Sequence, residues 1–182
     1  MNTIIKREVL GWIKALAFGL VITFICKQFI FVPSEVEGAS MMPSLEDGDR
    51  MIVSKISEIQ RFDQVMFRAP DADENYVKRV IGLPGDTLEM KNDTLYVNGE
   101  VRNEPYLKTH KEKLIPNQRL TEDFTLIELT NEKTVPEGYL FVLGDNRLIS
   151  KDSRYFGLIP IESVVGKVEF RIWPLNNIGA TK

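Results

Sequence analysis

The chain has 182 residues, with 23 lysines and arginines against 26 aspartates and glutamates, a net charge of −3. No broad basic field exists to hold a polyphosphate backbone, so nucleic acid is not an expected partner. One cysteine, Cys26, and one histidine, His110, exclude a disulfide framework and any metal site built from several thiolates or imidazoles, and leave a Ser-His-Asp triad a single candidate base.

The length allows one domain of about 150 residues beyond an apolar N-terminal segment. From Val9 to Cys26 the only charge is Lys14, and apolar character resumes at Phe29 to Val32 before Pro33. A bilayer crossing needs roughly 20 residues at about 1.5 Å each, which this run supplies. Lys14 and Lys27 must then extend their stems toward opposite headgroup regions. Lys6, Arg7 and Lys14 precede the segment while Glu35, Glu37, Glu46 and Asp47 follow it, which puts the first end in the cytoplasm. The expected layout is a cytoplasmic terminus at 1–9, a transmembrane helix at 10–32 and an extracytoplasmic domain at 33–182, with 92–138 as a variable insertion. A cleaved secretory signal is the alternative, but the apolar run is long for one and lacks a good small-x-small cleavage site. A buried core helix fits less well, because the apolar residues surround the helix instead of forming a stripe.

Past Pro33, short β-branched and aromatic runs alternate with turn residues, the pattern of an all-β domain. Strands are predicted at Arg50 to Ser54, Gln64 to Arg68, Tyr76 to Gly82, Thr87 to Met90, Thr94 to Val97, Thr125 to Leu129, Tyr139 to Leu143 and Val164 to Trp173. Asn92-Asp93 and Asn98-Gly99 supply tight turns, the second a strong hairpin signal. Lys108 to Asp123 is polar and aperiodic and reads as an exposed loop or insertion. The strand count predicts a mainly β, antiparallel two-sheet or barrel-like structure.

Ser40 stands in a small-residue segment, Gly38-Ala39-Ser40-Met41-Met42-Pro43, seven residues after Pro33. That tether holds its hydroxyl within roughly 25 Å of the membrane exit. The segment reads equally as a turn with an apolar plug. A serine nucleophile needs a base, and His110, in the polar stretch, reads as a surface residue. Lys78 lies in Tyr76-Val77-Lys78-Arg79-Val80-Ile81, where alternation puts it on the face of Tyr76 and Val80. Loss of hydration on an apolar face lowers a lysine pKa, and a shift of about 2 units costs roughly 3 kcal/mol of folding energy. Alone, the strand also allows Lys78 to snorkel to solvent. Gly82-Leu83-Pro84-Gly85-Asp86 reads as a strand-ending turn in which Asp86 is structural. Gly144-Asp145-Asn146-Arg147 leads into Ser150-Lys151-Asp152-Ser153-Arg154, either a hydrogen-bonded loop supporting a site or a solvated turn.

Taken together, these segments resemble the bacterial type I signal peptidases, in order and spacing along nearly the whole chain, and most closely their compact, single-anchor type. The resemblance implies a β-structured serine protease domain with an apolar membrane-contacting surface. It also implies a Ser-Lys dyad, with Ser40 as nucleophile through an acyl-enzyme and Lys78 as general base. Ser150 would orient Lys78 by a hydrogen bond, Asp152 and Arg154 would form a supporting ion pair, and Asp145 would be a further support. The substrates would be secretory preproteins, cut after small residues at the first and third positions before the bond. Val36, Gly38, Ala39, Tyr76 and Val77 would flank an extended substrate bound by strand addition. No metal or cofactor is implied; the lipid bilayer is the other expected partner, and the cell membrane the expected location. Two departures stand out. Gly38 replaces the hydroxyl residue that some members use as second oxyanion donor, leaving the Ser40 N–H as the one expected donor, and Ser44 stands where threonine is common. The rivals are a self-cleaving repressor-type protease, which would carry a DNA-binding region instead of an anchor, and a noncatalytic membrane-anchored β module.

Overall fold

The computed structural model describes residues 2–116 and 118–181, and their side chains except those of 2–6 and 25–28. The chain opens with α1, Asn2–Phe29, whose described side chains from Arg7 to Phe24 are all exposed. Among the described residues no helix is long and apolar enough to cross a membrane, so the expected transmembrane helix at 10–32 is not supported. Arg7, Glu8 and Lys14 interrupt its first half. At its other end the helix stops at Phe29, and Phe31 and Val32 instead open a strand. The side chains of Cys26 and Lys27 lie outside the described residues.

The larger sheet contains β1 (Phe31–Glu35), β2 (Arg50–Ser54), β3 (Gln64–Arg68) and β4 (Asn75–Gly82). The smaller follows as β5 (Leu88–Lys91), β6 (Thr94–Val97), β7 (Glu100–Arg102) and β8 (Phe124–Thr125). The chain then returns to the first sheet with β9 (Tyr139–Leu143), β10 (Ile159–Pro160), β11 (Val164–Trp173) and β12 (Gly179–Ala180). The large sheet runs β1-β2-β11-β3-β4-β9-β10, with β12 beside β11, and the small one β7-β6-β5-β8, every pair antiparallel. The fold is therefore mainly β. The region expected as an insertion, 92–138, falls within the excursion that builds the small sheet between β4 and β9.

Local chemistry accounts for the hairpins. Asn98 and Gly99 both take positive φ (55° and 78°), as do Asn92 and Asp93 (51° and 58°), the backbone that two-residue turns between antiparallel strands require. β1 is a sheet edge, which is why Pro33 can sit within it.

Two further expectations are corrected. The strand predicted at Thr125 to Leu129 is a strand only through Thr125. From there α3, Leu126–Thr130, begins, because Thr125 and Glu128 form a capping box, with Thr125 N–H donating to Glu128 Oε2 at 2.8 Å and Glu128 N–H to Thr125 Oγ1 at 3.4 Å. The stretch Lys108 to Asp123 is not uniformly exposed. It opens with the one-turn α2, Lys108–Lys111, and buries Leu120 and Thr121, whose N–H groups donate to the Asp93 carboxylate at 3.0 and 2.6 Å.

Three apolar clusters position the rest. Ile81, Phe141 and Leu143 of the large sheet meet Leu88, Met90, Leu95, Val97 and Phe124 of the small one, joining the two. Val65, Phe67, Val80, Leu140, Val142 and Ile159 pack a second cluster. Met41 and Leu45 plug a third, with Val36, Met51, Val53, Met66 and Val168. Met41 is thus the buried anchor beside Ser40, while Met42 faces outward.

Candidate active site

The turn that carries Ser40 connects β1 to β2. Met42 N–H donates to Ala39 O and Leu45 N–H to Met41 O, at 3.2 and 3.0 Å, and the Met41 side chain pins the turn to the core. Gly38 enters it at φ +83°. Across from it, β4 delivers Lys78 from between β3 and β9. Lys78 Nζ lies 2.8 Å from Ser40 Oγ and donates to Val77 O at 3.0 Å. The Tyr76 ring centroid is 5.0 Å from the same nitrogen.

Lys78 is only 4% exposed. Burial pulls its pKa down from 10.5 to about 8, against the opposing pull of Asp152, Asp145 and Asp71. Desolvation wins because none of those carboxylates forms an ion pair with the amine among the described residues; Asp152 and Asp145 each bind an arginine instead. The result is an amine able to be neutral near neutral pH within reach of a hydroxyl.

Those arginine pairs frame Ser40 and Lys78. Arg79, the next residue on β4, sends Nε and Nη2 to the two carboxylate oxygens of Asp145 at 2.8 and 2.6 Å, and Nη1 to Phe62 O at 2.6 Å. Arg154 grips Asp152 in the same forked way, at 2.8 Å on each side. Asp152 also accepts the Gly144 N–H at 3.0 Å and caps α4, Ser153–Phe156.

Ser150 behaves differently from what the resemblance implies. It is buried close to Ser40, but its Oγ has no hydrogen-bond partner among the described residues, so the bond to Lys78 is not formed. Its backbone is tied down by donation to Asn146 O at 2.9 Å, and its side chain packs flat against Gly144. A Cβ on Gly144 would collide with Ser150 Oγ and come within 2.6 Å of Ser40 O, so only glycine admits this approach.

An open cleft of about 450 Å³ runs over Ser40 and Lys78. Ser34 to Met41 form one wall and Glu74 to Lys78 the other, with Ile149 and Lys151 at the margin and Met66 beneath. Val36, Gly38, Ala39, Tyr76 and Val77 all line it, Val36 with its side chain packed into the core below. β9 pairs with β4 only from Arg79 onward, so Asn75–Lys78 bond to β3 alone and leave one edge open. The Gly38 N–H is committed to Asp47 Oδ1 at 2.7 Å and offers no second oxyanion donor.

A family model described as signal peptidase, peptidase S26, matches residues 9–173. The chain belongs to this family of serine endopeptidases. It is similar to the signal peptidase I of Bacillus caldolyticus, 56% identical over 150 residues, covering 80% of this chain and 81% of that protein. Signal peptidase IB of Staphylococcus aureus (strain COL) is 44% identical over 182 residues, 94% and 93% of the two chains. The crystal structure of a signal peptidase I from Enterococcus faecalis V583 superposes with a TM-score of 0.60 at 49% identity, covering 62% of this chain and 97% of that one.

Several residues around this peptidase's cleft were not assigned to the site by the sequence reading. Arg147 is buried in the loop after β9, where it donates to Gly144 O at 2.9 Å and to Thr121 Oγ1 at 3.2 Å and pairs with Glu104. Tyr106 joins the two frames, its hydroxyl donating to Glu104 Oε1 at 2.7 Å while its ring covers the Arg79 guanidinium 4.0 Å away. His110, read as a surface residue, donates from Nε2 to Met42 O at 2.7 Å, touching the serine turn from the small-sheet side. Nothing in the spacing of Glu104, Tyr106 or His110 marks them, since only folding of the excursion brings them here.

Two measurements follow. Replacing Glu104→Leu strands the buried Arg147 cation, and denaturant unfolding of the full chain in detergent should show a loss of about 3–5 kcal/mol, much of it recovered by adding Arg147→Met. Lys78→Met should raise stability at neutral pH by up to about 3 kcal/mol, because the shift from 10.5 to about 8 is a desolvation penalty. The unfolded lysine holds its proton to higher pH than the folded one. Wild-type stability should therefore climb between about pH 8 and 10.5, a climb absent from Lys78→Met. Equal slopes in the two proteins would contradict the assignment.

Proposed function

We propose that the chain removes signal peptides from secretory preproteins, cutting after small residues at the first and third positions before the bond, by a Ser40-Lys78 acyl-enzyme mechanism. One observation carries this reading: a buried amine held near pKa 8 lies 2.8 Å from a serine hydroxyl at the floor of an open cleft. Neutral Lys78 accepts the Ser40 proton as Oγ attacks the scissile carbonyl. The oxyanion forms beside the Ser40 N–H, which has no acceptor among the described residues. The ammonium then gives its proton to the leaving amine, and water, activated by the same lysine, releases the acyl group. An extended substrate adds along the open edge of Asn75–Lys78 against the Ser34–Met41 wall, with its small side chains beside the Ser40 turn. Asp145, Asp152 and Arg154 hold the loop behind the dyad.

The membrane enters through α1. Val9, Leu10, Trp12, Ile13, Leu16, Phe18, Leu20 and Phe24 are each at least half exposed and point to different sides of the helix. Water is a poor solvent for such a surface. We propose that α1 lies in lipid, and that the β domain faces the extracytoplasmic side, with Lys6, Arg7 and Lys14 toward the cytoplasm.

Ser40→Ala and Lys78→Ala should each lower preprotein cleavage by about 10⁴-fold or more. The wild-type kcat/KM should rise about tenfold per pH unit up to about 8 and then level, following the neutral fraction of Lys78. Cleavage undiminished in both variants defeats the dyad, and wild type inert toward several preproteins points instead to a binding module. The full chain should float with phospholipid vesicles in a density gradient while a form lacking residues 2–29 stays behind; equal flotation would remove α1 as the lipid contact.

A further inference from the structure

Asn146 grips the serine turn at two successive carbonyls. Its side-chain Nδ2 donates to Ala39 O at 3.1 Å, and its backbone N–H donates to Ser40 O at 3.0 Å. Within the turn, Met42 N–H adds a longer bond to Ala39 O at 3.2 Å. The Ala39 carbonyl and the Ser40 N–H belong to the same planar trans peptide and point in opposite directions. Drawing the carbonyl toward Asn146 therefore aims the Ser40 N–H away from it, and that N–H has no acceptor among the described residues. Because Asp47 holds the Gly38 N–H, the direction of the Ser40 N–H decides how well a developing oxyanion is met.

Asn146 is itself firmly placed. Its carbonyl accepts the N–H groups of Ile149 and Ser150 at 3.2 and 2.9 Å, and its chain neighbours Asp145 and Arg147 are locked in buried ion pairs. We propose that Asn146 is a positioning residue for oxyanion stabilisation. Its amide orients the Ser40 N–H and, by hydrogen-bonding the carbonyl of the same peptide, makes that N–H a stronger donor. The inference rests on the Ser40 acyl-transfer reading.

Asn146→Ala and Asn146→Asp test it in the full chain. The aspartate keeps the side-chain size and the backbone bond but turns an acceptor toward Ala39 O, so it serves even if the alanine variant folds poorly, as thermal unfolding would show. Both should lower kcat by about 10- to 100-fold, less than deletion of an oxyanion donor can cost, with KM changed by less than about 3-fold. In Asn146→Ala the pH midpoint of the rate should stay near 8, since Lys78 is untouched, whereas the added carboxylate of Asn146→Asp should move it upward. A substrate-derived peptide aldehyde, which forms a tetrahedral adduct on the serine, should lose affinity by the same factor as kcat, while the noncovalent product peptide should bind as before. The proposal is overturned if kcat stays within about 2-fold of wild type, if kcat falls but aldehyde affinity does not, or if the pH midpoint of Asn146→Ala moves with the loss. Wild type and Ser40→Ala measured alongside keep the two questions apart, because equal activity in that pair removes the acyl-transfer reading itself.

Discussion

The site depends on keeping one lysine amine dry. Lys78 reaches Ser40 from the half of β4 that pairs with β3, buried below the cleft, and the protein bears a folding penalty of about 3 kcal/mol to hold it there. That penalty makes sense only if nearby negative charge is kept from neutralising the effect. Asp145 and Asp152 stand close enough to favour the ammonium, yet each is bound by a forked arginine, so the lysine feels a balanced ion pair instead of a bare carboxylate.

This balance makes the surrounding polar frame part of the site. Arg79 with Asp145, Arg154 with Asp152, and Arg147 with Glu104 surround the loop after β9, and Tyr106 touches two of the three pairs. Buried pairs of this kind add little net stability over apolar packing, but breaking one leaves a stranded charge. Their use here is geometric. They hold Gly144 close against Ser150 and the Ser40 carbonyl, and carry Asn146 into contact with the serine turn. The small sheet, an excursion between β4 and β9, contributes Glu104, Tyr106, Thr121 and His110 to this arrangement, which ties it to the Ser40 turn as well as to the core.

The N-terminal helix is the least integrated part of the molecule. It leads directly into β1, whose following turn carries Ser40, so helix and site are joined by a short stretch of chain.

Patterns that depend on near neighbours were readable without any structure. Five strands match their predicted limits, among them Gln64–Arg68 and Tyr139–Leu143, because alternation and flanking turn residues act locally. Asn98-Gly99 announced its hairpin for the same reason, and Thr125-x-x-Glu128 held a helix start that its β-branched surroundings masked. Ser40 and Lys78 stood out as candidates only when all the short motifs were taken together. What the tertiary structure decided is everything set by distance in space. It brought the amine to 2.8 Å from the hydroxyl, left the Ser150 hydroxyl without a partner among the described residues, turned Phe31 and Val32 from helix to strand through pairing with β2, and delivered Glu104 and Tyr106 to arginines more than 25 residues away. Sequence spacing specifies faces and turns; the desolvation and hydrogen-bond partners that give these side chains their chemistry exist only once distant segments close over them.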